Sequence, residues 1–181
     1  MANIFYDYYS VDAGIMIRLK DMLPYDLFKP AWDEISRLVS TGRWKIFDNV
    51  MDEVHGQIAK KWLTENISAI VKFNPIINKY INQLMAELQK NNMMIINTMS
   101  LKNNADPFVI MLALYLEERD LKDLRRKTCT KTCCVLTREE LKQNKINIPS
   151  VCKYYDIPYM NLFQFMEHHG WQISLEVKNP N

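Results

Sequence analysis

The stretch YYSVDAGIMI, residues 8–17, joins an apolar run to a single acidic residue, Asp12. Aromatic and β-branched residues favour a buried strand that ends near Asp12, and IMIRLKDML, residues 15–23, continues as a short helix before Pro24. In parallel α/β sheets, ligands and metal ions normally bind at the carboxyl ends of the strands. The pattern therefore predicts that Asp12 lies at a ligand-binding edge.

The same pattern of an acidic residue beside an apolar run returns three times. The further acids are Glu53 in IFDNVMDEV (46–54), Asp106 in NNADPFVIMLAL (103–114) and Glu139 in CCVLTREEL (133–141). Since strand ends of a parallel sheet share one edge, we expect the four carboxylates to converge. Hard cations prefer carboxylate oxygens, and the chain has only three histidines, so the constellation indicates Mg²⁺ or Mn²⁺ rather than zinc. Such a site suits the hydrolysis of phosphodiester bonds, because the cation activates water and stabilises negative charge.

The remaining elements follow in an order typical of α/β proteins. Besides the first strand, we predict strands at 44–47, 133–137, 158–161 and 171–177. Besides the helix before Pro24, we predict helices from about Pro30 to Gly42, from Asp48 to Trp62, over 66–97, from Asp106 to about Asp120, and over 162–170, with a polar excursion at 138–156. This order predicts a three-layer α/β/α sandwich with a mainly parallel central sheet. One domain over residues 1–181 is expected.

Composition limits the classes of function. The chain of 181 residues is 48% hydrophobic, enough for one core, yet its longest apolar stretches fall well short of the roughly 20 residues of a spanning helix. The amino terminus lacks the features of a secretory signal. We therefore expect a soluble cytoplasmic protein without a membrane partner. The net charge of +2 gives no whole-protein argument for nucleic-acid binding, so such a partner needs a local basic patch.

The four cysteines do not match a common structural zinc site. Cys129, Cys133 and Cys134 have the spacing C-x3-C-C, and Cys152 is distant in sequence. Free thiols are favoured over metal ligands, as is usual for a cytosolic chain.

Asp12 and Asp106 each have a structural alternative. Asp12 suits the N-cap of the helix that follows it, and Asp106 before Pro107 suits an N-cap with proline at the first helical position. A carboxylate at a helix start on a sheet edge can also bind a metal ion, so both roles are compatible.

Glu53 and Glu139 each compete with a neighbouring acid. Helical spacing puts Glu53 beside the buried stripe and Asp52 towards water. Glu139 has the alternative role of a first-turn glutamate, and Glu140 is a rival for any functional role.

Taken in order, the motifs VDAG, VMDEV, ADPFVIMLAL and VLTREE resemble the four acidic motifs of the PIN-domain ribonucleases. The segment KINIPSVCKYYDIPYMNLFQFMEHHGW, residues 145–171, is similar to a PIN-like subfamily of small bacterial proteins. The resemblance implies a compact α/β/α fold, Mg²⁺ or Mn²⁺ bound by Asp12, Glu53, Asp106 and Glu139, and cleavage of RNA to leave a 5′ phosphate. Because many such proteins are toxins of toxin-antitoxin pairs, it also implies an antitoxin protein as partner and a homodimer. The helices between residues 62 and 90, with their apolar and Tyr80-containing faces, are the predicted dimer surface.

Two positions depart from the PIN pattern. The family usually has a small hydroxyl or amide residue two places after the first aspartate, where this chain has Gly14, and the fourth acid is commonly aspartate rather than Glu139. Both departures suit a weakened or metal-selective enzyme. The alternative function is therefore a catalytically weak PIN-like module that binds RNA or a protein.

If RNA is the substrate, basic side chains near the acidic edge should contact its phosphates. Arg138 and Lys142 lie beside Glu139 in sequence, and Arg18 and Lys20 follow Asp12 within two helical turns. A phosphoacceptor receiver domain would instead need an acidic pair after the first strand and a lysine at a later strand end. Neither VDAG nor CCVLT supplies that pattern, and the four glycines form no G-x-G-x-x-G or Walker loop.

Overall fold

A computed structural model describes residues 6–54, 57–93, 106–122, 132–143 and 145–172. Five strands form one sheet in the order β3-β2-β1-β4-β5, and every pair is parallel. The strands are β1 (Tyr8–Val11), β2 (Trp44–Phe47), β3 (Ile70–Val71), β4 (Cys133–Leu136) and β5 (Tyr159–Met160). With helices on both faces, the chain is a three-layer α/β/α sandwich, which confirms the predicted fold class.

Two groups of helices cover the sheet. The helices are α1 (Ala13–Met22), α2 (Lys29–Ser40), α3 (Asp48–Glu53), α4 (Gln57–Glu65), α5 (Pro75–Lys90), α6 (Asp106–Lys122), α7 (Ile148–Tyr154) and α8 (Leu162–His168), with a 3₁₀ turn at Ile67–Ala69. Helix α6 packs on the central strands and against α5 and α7, whereas α1 packs against α3, α4 and α8. Parallel crossovers are almost always right-handed. The connections from β1 to β2 and from β2 to β3 run in one direction along the sheet, and those from β3 to β4 and from β4 to β5 run in the other. Right-handed connections that run in opposite directions lie on opposite faces, so the two groups of helices cover different faces of the sheet.

The strand order places a topological switch point between β1 and β4. From β1 the chain moves outward to β2, and from β4 it moves outward to β5, so a crevice opens beyond the carboxyl ends of the two central strands. Val11 pairs with Leu136 in the register. The next residues, Asp12 and Thr137, therefore lie side by side at this crevice.

Two hydrogen-bonded contacts fix the direction of α6. The Ser10 hydroxyl donates to the carbonyl of Val109 at 2.7 Å, and the carboxylate of Glu117 accepts from the backbone N–H groups of Thr132 and Cys133 at 2.9 Å. Glu117 thus lies at the amino end of β4. Helix α6 consequently runs antiparallel to the strands and begins, at Asp106, on the same edge as Asp12.

The structure corrects the predicted helix from Asp48 to Trp62. Helix α3 ends at Glu53, Val54 has an extended backbone with φ −81° and ψ 110°, and α4 covers Gln57–Glu65. Val54 is fully buried, so its side chain fits the apolar periodicity without continuing the helix.

The predicted helix over 66–97 is wrong in its first part. A 3₁₀ turn and the two residues of β3 come first, and α5 begins only at Pro75, where the Asn74 side chain accepts from the N–H groups of Ile76 and Ile77. An asparagine cap followed by proline at the first helical position is a strong start signal. Residues 94–97 lie outside the described part of the chain.

The polar excursion at 138–156 contains a helix that was not predicted. Asn147 and Ser150 form a capping box at the start of α7, whose buried residues include Val151 and Cys152. The predicted strand at 171–177 is not tested, because residues 173–181 lie outside the described part; Trp171 and Gln172 are not in a strand.

The described cysteines form no disulfide. Cys133, Cys134 and Cys152 are buried free thiols, and burial raises the pKa of Cys152 to about 12. Cys129 lies outside the described residues. Among the described helices, none combines the length and apolar character needed to cross a bilayer.

Candidate functional site: an acidic cluster at the carboxyl edge of the sheet

Asp12 is a buried carboxylate at the end of β1. Only 6% of the residue is exposed, and it occupies the N-cap position of α1 without a side-chain capping hydrogen bond. Burial raises its pKa from 3.8 to about 6, the Gly14 backbone and the Thr137 hydroxyl oppose this shift, and the charges of Glu53 and Glu139 add to it. The N-cap position was the predicted structural alternative, but the electrostatic surroundings show a carboxylate among other carboxylates.

Asp106 is the second acid, at the first position of α6. Its pKa is raised to about 7, first by burial and then by the charges of Asp12, Glu139 and Glu53, against the opposing charge of Lys145. Each of the four predicted acids therefore either has a raised pKa or contributes to raising one. The structure brings all four into one electrostatic cluster, although they come from four separate segments of the chain.

Glu53 and Glu139 are half-buried members of this cluster. Glu53 is the last residue of α3, and Glu139 follows β4. The Glu139 backbone N–H donates to the Thr137 hydroxyl at 3.1 Å, and its Oε2 accepts from the backbone N–H of Ile148 at 2.9 Å. Glu139 thus fixes the start of α7 as well as facing the other acids. Its rival Glu140 is exposed, and its charge is not among the causes of either raised pKa.

Thr137 links two of the acidic segments. This residue is fully buried at the end of β4, where its hydroxyl donates to Oδ2 of Asp12 at 3.2 Å and accepts from the N–H of Glu139. A hydrogen bond to the ionised form favours ionisation. Thr137 therefore holds the carboxylate of Asp12 in the crevice between β1 and β4.

The four carboxylates have the chemistry that a hard divalent cation prefers, but they do not lie close enough together to coordinate one ion. Within the described ranges, no three histidine, cysteine, aspartate or glutamate side chains lie close enough to hold one ion as they stand. Four carboxylates without a cation repel one another, so a spread arrangement is the expected one. Asp12, Glu53, Asp106 and Glu139 supply the carboxylate oxygens that a hard divalent cation prefers.

Basic residues line a pocket beside Glu139. The pocket has a volume of about 250 Å³ and is lined by Arg138, Glu139, Glu140, Lys142, Lys145 and Asn147. Arg138 and Lys142 were predicted as phosphate contacts, and both are exposed here. The pocket adds Lys145, whose charge acts on Asp106.

A second pocket meets the first at Arg138. Its volume is about 220 Å³, and it is lined by Ile15, Arg18, Arg138, Glu140, Asn161, Leu162 and Phe163. The predicted Arg18 lies here. The fourth predicted basic residue, Lys20, lines neither pocket, and its ammonium is 3.3 Å from the carboxylate of Asp21. Three of the four predicted basic residues thus line one of the two pockets that meet at Arg138.

Gly14 lies directly against the Arg138 side chain. A Cβ atom there would lie 2.8 Å from both Cγ of Arg138 and Oδ2 of Asp12. The Arg138 side chain occupies the space that any side chain at position 14 would need. A glycine at this position therefore accompanies an arginine that crosses the amino end of α1.

Thr137, Lys145 and Phe163 were not predicted from the sequence to lie at this site. Thr137 carried a usable signal, because a hydroxyl residue directly ends the apolar run CCVL. Lys145 carried none, since its approach to Asp106 depends on the unpredicted turn into α7. Phe163 has an apolar position in a helical stripe, yet 55% of it is exposed.

The chain belongs to the family described as a domain of unknown function (DUF4411), whose model matches residues 9–121 and 125–173. No curated protein and no solved structure matches it. The matched segments contain Asp12, Glu53, Asp106 and Glu139.

Proposed function

We propose that this chain is a metal-dependent endoribonuclease that hydrolyses RNA phosphodiester bonds at the acidic cluster, with Mg²⁺ or Mn²⁺ held by Asp12, Glu53, Asp106 and Glu139. The observation that carries the proposal is the raised pKa of two carboxylates from different elements, Asp12 and Asp106, caused by burial and by the charges of the other acids. Folding stability alone gives no reason to bury mutually repelling carboxylates. A bound divalent cation removes the repulsion.

The position of the cluster supports the same proposal. The acids lie at the switch point of a parallel sheet, where ligands of open α/β proteins bind. The adjoining pocket is lined by Arg138, Lys142 and Lys145. Their positive charge would hold the phosphates of the RNA backbone while one phosphodiester faces the acids.

The protein groups have separable tasks in this proposal. A bound metal ion would activate water and neutralise charge on the reacting phosphate. Asp12, held by Thr137, and Asp106, at the start of α6, would fix the position of the ion. Arg138 would orient the neighbouring phosphate, because an arginine fork matches phosphate oxygens.

The test is RNA cleavage by purified protein in Mn²⁺, Mg²⁺ or EDTA. Cleavage should require metal and should fall at least ~100-fold in Asp12→Asn and in Asp106→Asn, since each substitution removes one fixed ligand and one charge. Asp33→Asn, on the exposed side of α2, is the matched control and should cleave at the wild-type rate. Cleavage in EDTA, or equal rates in the variants and wild type, would contradict the proposal.

A catalytically weak PIN-like module that binds RNA or a protein is the second candidate function. Two observations favour it: Oε2 of Glu139 is already engaged by the N–H of Ile148, and Arg138 takes the space beside Gly14. A thermal shift with Mn²⁺ without cleavage of any RNA would select this module over the enzyme.

A toxin role, with an antitoxin partner, a homodimer and a cytoplasmic location, remains part of the proposal through the PIN resemblance. The apolar stripe of α5, formed by Ile77, Ile81, Leu84 and Leu88, is buried, and Tyr80 packs edge-on against Tyr115 of α6 at 5.5 Å. A dimer through this region would therefore have to use other residues, such as the exposed Ile76.

A further inference from the structure

The pocket that contains Phe163 combines an aromatic ring with two cationic side chains. Phe163 is in the first turn of α8, and 55% of it is exposed although it is a large apolar residue. Arg18 approaches from α1 and Arg138 from the segment after β4, so three elements contribute to one pocket of about 220 Å³. Exposed rings beside guanidinium groups are the elements that bind unpaired nucleotides, because the ring stacks on a base while the cations neutralise phosphate.

We propose that Phe163, Arg18 and Arg138 form a subsite for one unpaired nucleotide, with its base on the Phe163 ring and its phosphate against the two arginines. The proposal rests on the proposed function and deepens it, since it assigns the nucleotide that lies next to the reacting phosphate. The volume decides the size of the occupant. It is below the roughly 300 Å³ at which pockets for whole drug-sized ligands begin, so a single base fits better than a larger group.

Arg138 fixes the place of this subsite relative to the acids. Its side chain lies over Gly14, which Oδ2 of Asp12 also approaches, and it lines both the Phe163 pocket and the pocket of Lys142 and Lys145. A strand that follows both pockets must therefore pass Arg138, next to the acidic cluster. The base held on Phe163 belongs to the nucleotide on one side of the reacting bond, and the lysines meet phosphates on the other side.

Glu140 opposes phosphate binding in the same place. It is exposed and lines both pockets, so its negative charge lies near the path of the strand. The subsite consequently has an internal control: Glu140→Gln removes repulsion and should tighten binding, whereas Arg18→Ala should weaken it.

The experiment measures binding of a fluorescein-labelled eight-nucleotide oligouridylate by anisotropy in EDTA, so that binding is separated from cleavage. Phe163→Ala should weaken binding about 10-fold, and Phe163→Tyr should restore it, because a tyrosine ring also stacks. Tyr154→Ala is the matched control, since Tyr154 is 48% exposed at the other end of α7, away from the acids. Arg18→Ala should reduce the slope of log K against log salt by about 0.7, because the protein then neutralises one phosphate fewer.

The outcomes separate this subsite from the nuclease itself. Binding that is equal in wild type and Phe163→Ala overturns the subsite, even if the wild type cleaves RNA in Mn²⁺. Binding that depends on Phe163 supports the subsite even if no RNA is cleaved, in which case the enzyme proposal fails alone. Equal Phe163-dependent binding of the same oligonucleotide annealed to its complement would overturn the requirement for an unpaired base.

Discussion

Replacement of Asp12 by asparagine should make the free energy of unfolding less dependent on pH. An ordinary aspartate has a pKa of 3.8, and burial raises that of Asp12 to about 6. Well below pH 3.8 the carboxyl group is protonated in both folded and unfolded chains and costs nothing. As the pH rises from about 4 to about 6, the carboxyl ionises in the unfolded chain while it is still protonated in the folded one, so the folded state loses stability. The asparagine variant carries no such penalty.

The magnitude follows from the two pKa values. Their difference of about 2.2 corresponds to about 3 kcal/mol once both states are ionised. Between pH 4.5 and pH 7.5 the wild type should therefore lose about 2 kcal/mol through this one group. The Asp12 charge also raises the pKa of Asp106, so its removal relieves that second carboxylate in the same direction.

Urea denaturation in EDTA at pH 4.5 and pH 7.5 measures this effect. The free energy of unfolding of Asp12→Asn, relative to wild type, should increase by about 2 kcal/mol from the lower to the higher pH. Asp33→Asn, at an exposed position of α2, controls for the change of side chain. If the pH dependence of Asp12→Asn matches that of Asp33→Asn, the carboxylate of Asp12 carries no electrostatic penalty, and the main reason for a cation at the cluster disappears.

Two further predictions concern the surroundings of Asp12. Thr137→Val removes a buried hydroxyl that donates to Asp12 and accepts from Glu139, so urea denaturation should show a loss of about 1–3 kcal/mol in the free energy of unfolding. In the control Thr64→Val, the lost hydroxyl is exposed and donates to the carbonyl of Lys60, so the loss should be far smaller. Equal losses in the two variants would count against the bridging role of Thr137. Gly14→Ala should fail to give the roughly 1 kcal/mol of stability that alanine normally adds to a helix, because its Cβ would lie 2.8 Å from Cγ of Arg138. The substitution should be less destabilising in an Arg138→Ala background, and a double-mutant cycle that shows no coupling between the two positions would refute the steric contact.

The positions of the acids could be predicted because each lies at a local boundary. Asp12 and Glu139 follow strands that are buried on both faces, and such strands appear as continuous apolar runs. Asp106 starts a helix with proline at its second position, which is a start signal. Glu53 is half-buried at the end of α3 as predicted, but the stripe used to place it is wrong, because Val54 and Ile58 lie outside α3 and Ile58 is 47% exposed.

Their arrangement in space depended on features that local patterns do not carry. Strand β3 has only two residues, Ile70 and Val71, which periodicity cannot distinguish from the helical residues around it. Without β3 the strand order is open, and the switch point between β1 and β4 cannot be located. The register of Val11 with Leu136, which brings Thr137 to Asp12, is likewise a property of the assembled sheet.

The acidic cluster is therefore a product of folding rather than of any one segment. Asp12 and Glu139 approach only after the chain from β3 has crossed the sheet through α5 and α6, and Asp106 joins them because α6 runs antiparallel to the strands. The repulsion among these acids is absent in the unfolded chain, so it opposes folding wherever they are ionised. A cation bound by them must favour the folded state by mass action. In the proposed enzyme, the stabilisation by Mn²⁺ should thus be largest above pH 7, where the metal-free protein bears the greatest electrostatic penalty.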